Sequence, residues 1–152
     1  MSNLNLILNS RKSLSYSQGV CKFFVNWNQF FESDPNAKYN VSFSFSTEID
    51  NTLDQDDIYT ISINNFGSLM RTITSIGQFG VGSTSSNVIG IVYPENITGA
   101  NIRLVAHAHD NPETTIYGRP HDNIIEVQFN DLTNVLSQKT PQFIMNLRFE
   151  KI

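Results

Sequence analysis

An all-β chain, an antiparallel β-sandwich of jelly-roll type with eight to nine strands and at most one or two short helical turns, is the architecture to expect. Three observations carry that expectation. Apolar residues alternate with polar ones at a period of two along most of the chain, and helical periodicity has almost no foothold. Clusters of Gly, Pro, Asn, Asp and Ser separate the alternating runs at the spacing of a sandwich or jelly roll. At 152 residues with one cysteine, the chain fits a single domain, 1–152, that buries one core without disulfide staples.

The elements follow in order. Leu4, Leu6 and Leu8 alternate until Asn9-Ser10 breaks the run, and Phe23, Val25 and Trp27 share a face of the next candidate strand. Tyr39, Val41, Phe43 and Phe45 alternate with Asn40, Ser42 and Ser44 in the clearest strand. Tyr59, Ile61 and Ile63 repeat the pattern after Asp54-Gln-Asp-Asp. A short Thr/Ile run covers 71–76, a more continuous apolar run 87–93, and Ile102, Leu104 and Ala106 share a face over 101–108. Ile125, Val127 and Phe129 form the penultimate strand, and Phe143, Met145, Leu147 and Phe149 the last. Single helical turns are expected at 27–32 and at 132–137, where Asn130 or Asp131 could cap. Gly77-Gln-Phe-Gly-Val-Gly-Ser-Thr-Ser-Ser reads as a flexible loop or a bend between sheets, not as a phosphate cradle.

Composition narrows the function classes. Charged residues are 16% of the chain and the formal net charge is -4, so a protein that lives by gripping nucleic acid is not expected. Arg11 beside Lys12 reads as a solvated turn. No apolar run approaches membrane length and no export signal is visible, so a soluble protein without a membrane span is expected. Cys21 opens a strand-like run, where it reads as a small buried hydrophobe. Asn40-Val-Ser and Asn96-Ile-Thr match the glycosylation pattern by chance.

The segment 107–129 is the richest in chemistry. Pro112 and Pro120 stiffen a connection that carries Asp110, Asn111, Tyr117 and Arg119, a combination suited to presenting side chains. Arg119 is the expected polar anchor, with an internal salt bridge to Asp110 as the competing reading. His107 and His109, at i and i+2, point to one face of a strand and with Glu113 give His-x-His-x-x-x-Glu. That string is similar to the first half of the cupin metal motif. The glycines that motif expects are misplaced, since Gly99 lies too far upstream and Pro120 fills the downstream slot; the second motif is missing, the remaining histidine being His121. No cofactor or metal is therefore expected. Gly80-Val-Gly-Ser is not a nucleophile elbow, and Asp54, Asp56 and Asp57 lack the rest of a calcium loop. No catalytic residue is nominated. Most phenylalanines fall on core faces, which leaves Trp27 and Tyr117 as the candidates for exposed aromatic contact.

The order of these pieces resembles a known family. Leu-Asn-Ser near the start is followed by Cys-Lys-Phe-Phe-Val-Asn-Trp, Tyr-Asn-Val-Ser-Phe-Ser-Phe and a Gly/Ser loop. Asn-Val-Ile-Gly-Ile-Val-Tyr-Pro, Asp110-Asn111-Pro112, Arg119-Pro120 and Ile-Glu-Val-Gln-Phe complete the series. This is similar to the single-jelly-roll minor capsid proteins of nucleocytoplasmic large DNA viruses (giant viruses), over nearly the whole chain. The family's loop often reads Asp-Asn-Pro-Pro, and here Glu113 replaces the second proline. The resemblance implies a non-enzymatic shell component, made in the host cytoplasm and sited on the inner side of the virion shell. Its implied partners are the double-jelly-roll major capsid protein and other minor capsid proteins, with self-association open. Two other classes stay open: a metal-dependent cupin-like enzyme using His107 and His109, and a carbohydrate- or receptor-binding jelly roll using Trp27 or Tyr117.

Overall fold

The computed structural model describes residues 3–31, 34, 36–50, 52–53, 58–64, 72–74, 83–85, 88–98, 101–111, 113–118, 120, 122–130, 137, 139 and 141–152. Among them the alternating runs become strands: β1 (Asn3–Asn9), β2 (Ser15–Ser17), β3 (Val20–Phe24), β4 (Lys38–Thr47), β5 (Tyr59–Asn64) and β6 (Thr72–Thr74). They continue as β7 (Ser83–Ser85), β8 (Val88–Thr98), β9 (Asn101–Ala106), β10 (Thr114–Tyr117), β11 (Ile124–Asn130) and β12 (Phe143–Lys151). Short 3-10 turns occupy Ser10–Lys12 and Trp27–Gln29.

Pairing is antiparallel and nested. β3 pairs β11, β4 pairs β9, β5 pairs β8, and β6 pairs β7. Four antiparallel pairs set one inside another are a long hairpin rolled up on itself, which is jelly-roll connectivity. Because β5 also pairs β11, the strands β3, β11, β5 and the start of β8 form one sheet, to which β2 adds an edge. The other sheet grows from β9 and β4 through β12 to β1. β8 joins the two: Val88 to Val92 pair with β5, whereas Tyr93 onwards pairs with β9.

The core fills the space between the sheets, because the period-two pattern turns every second side chain inward. From β4, Tyr39, Val41, Phe43 and Phe45 are buried; Ile61, Ile63, Ile125, Val127 and Phe129 come from the facing sheet. Aromatic rings bridge the gap. Phe45 meets Phe129 edge-on at 5.5 Å between centroids, and Phe143 of β12 meets Phe23 of β3 at 6.2 Å. Each fully buried large side chain contributes about 1.5–3 kcal/mol, so this layer dominates stability.

The twelve strands among the described residues exceed the expected eight to nine by β2, β7 and β10. All three are three or four residues long, too short for alternation to register. β7 lies in the stretch expected to be a flexible loop. Of the expected turn at 132–137 only Ser137 is described, buried and donating its N–H to the Phe129 carbonyl at 2.9 Å; the acidic run at 54–57 lies outside the described residues. No helix among the described residues is long and apolar enough to cross a membrane.

Candidate interaction surface

The segment leaving β9 turns at once. The Asp110 backbone N–H donates to the His107 carbonyl at 2.9 Å, closing a turn, and the His107 N–H donates to Asp110 Oδ2 at 2.8 Å. Tyr93, on β8 beside β9, donates its hydroxyl to the same Oδ2 at 2.6 Å. These donors favour the ionised carboxylate, so the Asp110 carboxyl sits below its ordinary range, the Tyr93 hydroxyl contributing most. The same hydrogen bond raises the Tyr93 pKa.

Asn111 acts as a substitute for a strand. Its Oδ1 accepts from the Ile91 N–H at 3.0 Å and its Nδ2 donates to the Ile91 carbonyl at 3.2 Å. The amide thus matches both backbone groups of one β8 residue. Close approach requires Gly90 next door: a Cβ there would lie 2.5 Å from Asn111 Cγ and 2.6 Å from Phe43 Cε1. Asp110 and Asn111, expected to face a partner, are bound to their own chain by these hydrogen bonds, with Asp110 still exposed. An isolated polar side chain in a turn captures the nearest unpaired backbone group, and β8 supplies it.

Beyond Glu113, which is exposed, the chain becomes β10 and pairs with the start of β4, with Thr115 opposite Asn40 and Tyr117 opposite Lys38. Thr115 Oγ1 donates to Asn40 Oδ1 at 3.0 Å. Alternation buries Thr114 and Ile116 and turns Tyr117 outward, where 47% of it is exposed and Lys38 Nζ stands 5.2 Å from the ring centroid. A cation over an exposed tyrosine is worth about 0.5–1 kcal/mol, and it holds the ring in place without covering it. Gly118 then takes φ +64° and donates its N–H to the Ala37 carbonyl at 2.6 Å, fixing the exit from the strand. Pro120, expected in the presenting loop, is buried. Pro112, Arg119 and His121 lie outside the described residues, and with them the expected pairing of Arg119 with Asp110.

Trp27 corrects the expectation of an exposed aromatic. Only 1% of it is accessible; its ring packs edge-on against Phe31 at 5.4 Å and Phe149 at 5.9 Å. The indole N–H that suggested a wet position donates to the Asp122 carbonyl at 2.9 Å, so the polar handle is satisfied inside the fold. Cys21 is fully buried as expected, and burial pushes its thiol up to about 11.

His107 and His109 stack in parallel with centroids 5.7 Å apart, and His109 Nε2 stands 3.4 Å from Asp110 Oδ1. Among the described residues no group of three His, Cys, Asp or Glu side chains gathers around a point that could hold a metal.

The outer face of β1, β12 and β4 is a broad polar carpet. A shallow hollow of ≈ 320 Å³ on it is lined by Asn5, Ser42, Ser44, Asn146 and Arg148, with Phe43 beneath and Ala108 of the 107–111 turn at its rim. Ile7 and Ile144 stand exposed nearby, diagonal neighbours across the β1–β12 ladder. Several surface cations are matched locally. Arg11 pairs with Glu48 at 2.7 Å, Arg103 with Glu95 at 2.6 Å and Lys22 with Glu126 at 3.4 Å. Such exposed pairs add little stability, but they leave the surface weakly charged.

Nothing in the residue pattern pointed to Lys38 as the partner of Tyr117. Strand β10 itself had a faint signal, since Thr-Thr-Ile-Tyr is β-favouring, but two flanking prolines outweighed it. No family model and no curated protein sequence matches the chain.

Proposed function

We propose that this chain is an architectural component of a large icosahedral virus shell, a minor capsid protein that cements its neighbours. The observation that carries the reading is the nested set of four antiparallel pairs, which matches the single jelly roll implied by the resemblance of the sequence to such proteins. The surface chemistry supports it. Uncharged Asn and Ser side chains, the exposed neighbours Ile7 and Ile144, and locally matched charges make wet interfaces with little charge to desolvate. Many copies in one shell make individually weak contacts sufficient through avidity.

In this reading the turn at 107–111 is a brace and Tyr117 over Lys38 is the contact. The brace fastens the start of the segment to β8, so β10 leaves it in a fixed direction and Tyr117 meets a partner without an ordering cost. The partners are the major capsid protein and other minor capsid proteins, and the location is the inner side of the shell.

Quantitative mass spectrometry of purified particles from the source tests this. A reproducible ratio of this chain to the most abundant shell protein is expected. Particles that lack the chain would overturn the proposal.

A further inference from the structure

The two ends of the strand order are built differently. One end is β2, only three residues long. The other is β1, whose seven residues pair with β12 in unbroken register from Asn3 opposite Glu150 to Asn9 opposite Ile144. Among the described residues no strand pairs the other side of β1. Folded proteins blunt such edges with charge, proline, bulges or shortness, because unpaired backbone groups recruit another strand. β1 reads Asn-Leu-Asn-Leu-Ile-Leu-Asn and uses none of these devices.

That string is nearly the same in both directions about Leu6. An antiparallel pairing centred there sets Leu6 against Leu6 of a second copy, Leu4 against Leu8, Asn3 against Asn9 and Asn5 against Ile7. Residues directly opposite share a face, so all the leucines stay on the core side and the asparagines and Ile7 on the outer side in both copies. Leu4 and Leu6 are only partly buried against their own core, so each has surface left for its counterpart to cover. Ile7, 65% exposed, lands diagonally beside Ile7 of the other copy.

We propose that β1 is a homodimerisation edge, joining two copies antiparallel about a two-fold axis at Leu6 and making one continuous sheet through both. The occupant is a second copy because the edge is self-complementary in pattern and carries no charge to repel itself. This goes beyond the capsid reading and stands without it.

Sedimentation of the full chain over a concentration series reads the association directly. The wild type is expected to approach twice the chain mass. Ile7→Lys and Ile7→Glu, at an exposed position, are each expected to stay at the single-chain mass with an unchanged near-ultraviolet Trp27 signal. An equimolar mixture of the two is expected to double again, because opposite charges then meet across the axis. Hydrogen exchange of the wild type gives an independent reading, with added protection at high concentration confined to Asn3–Asn9. A wild type of single-chain mass throughout, a mixture no heavier than either variant, or a dimer whose added protection lies elsewhere would overturn the proposal.

Discussion

Residues 107–111 and β10 belong to one polar connection, with Pro112 between them, yet their side chains are used differently. In the first stretch, Asp110 and Asn111 spend their hydrogen-bonding capacity on Tyr93, His107 and Ile91. In the second, the ladder to β4 satisfies the backbone, and Tyr117 is left half-exposed over Lys38. The difference lies in what stands opposite. Where β8 offers unpaired backbone, a polar side chain binds inward and becomes structural; where a ladder has already paired the backbone, alternation decides, and every second residue faces out. Polar loop residues therefore divide into those bound to their own chain and those left at the surface by their local backbone partners rather than by their chemistry.

Substitutions can break this contrast, beginning at Gly90. Gly90→Ala drives a methyl group into Asn111 and Phe43 and is expected to lower stability by about 2–3 kcal/mol, measured by urea unfolding. Asn111→Ala removes both bonds to Ile91 and is expected to cost about 1–2 kcal/mol in the same assay. A value near zero would mean that the turn is not braced there.

Asp110 sharpens the contrast through pH. Its carboxyl pKa is lower folded than unfolded, so its contribution is complete above about pH 4 and is lost as pH falls through the folded value. Tyr93 shifts upward for the same reason, so its contribution is complete below about pH 10 and is lost as pH rises through the folded value. Asp110→Asn is expected to flatten both limbs of the stability profile relative to wild type, read as melting temperature against pH. The smallest stability effect belongs to Tyr117→Ala, about 0.5–1 kcal/mol, because the ring is half-exposed and its cation contact lies at the surface.

Much of the fold was legible because one signal dominated it. Tyr39, Val41, Phe43 and Phe45, like Phe143, Met145, Leu147 and Phe149, alternate over enough residues that only a half-buried strand fits, and each of these eight is buried. The nesting was not legible from residues alone. β3 and β11 lie about a hundred positions apart, and nothing local in Cys21 or Val127 names the other as its partner. The site was legible in location but not in direction. Asp110 and Asn111 stood out by their chemistry, but their partners lie 17 and 20 positions away on β8. Trp27 shows the same limit: an indole suited to a wet edge is equally suited to a core that offers one carbonyl, and the Asp122 carbonyl lies 95 positions on.

The most direct test of the division into brace and contact is competitive incorporation. Under the proposed role as a shell component, differently tagged wild-type and Tyr117→Ala chains are co-expressed during particle assembly, and their ratio in purified particles is compared with their ratio in the soluble pool. The account predicts equal soluble levels and a marked depletion of Tyr117→Ala from particles. Incorporation of the variant at parity with wild type would contradict it.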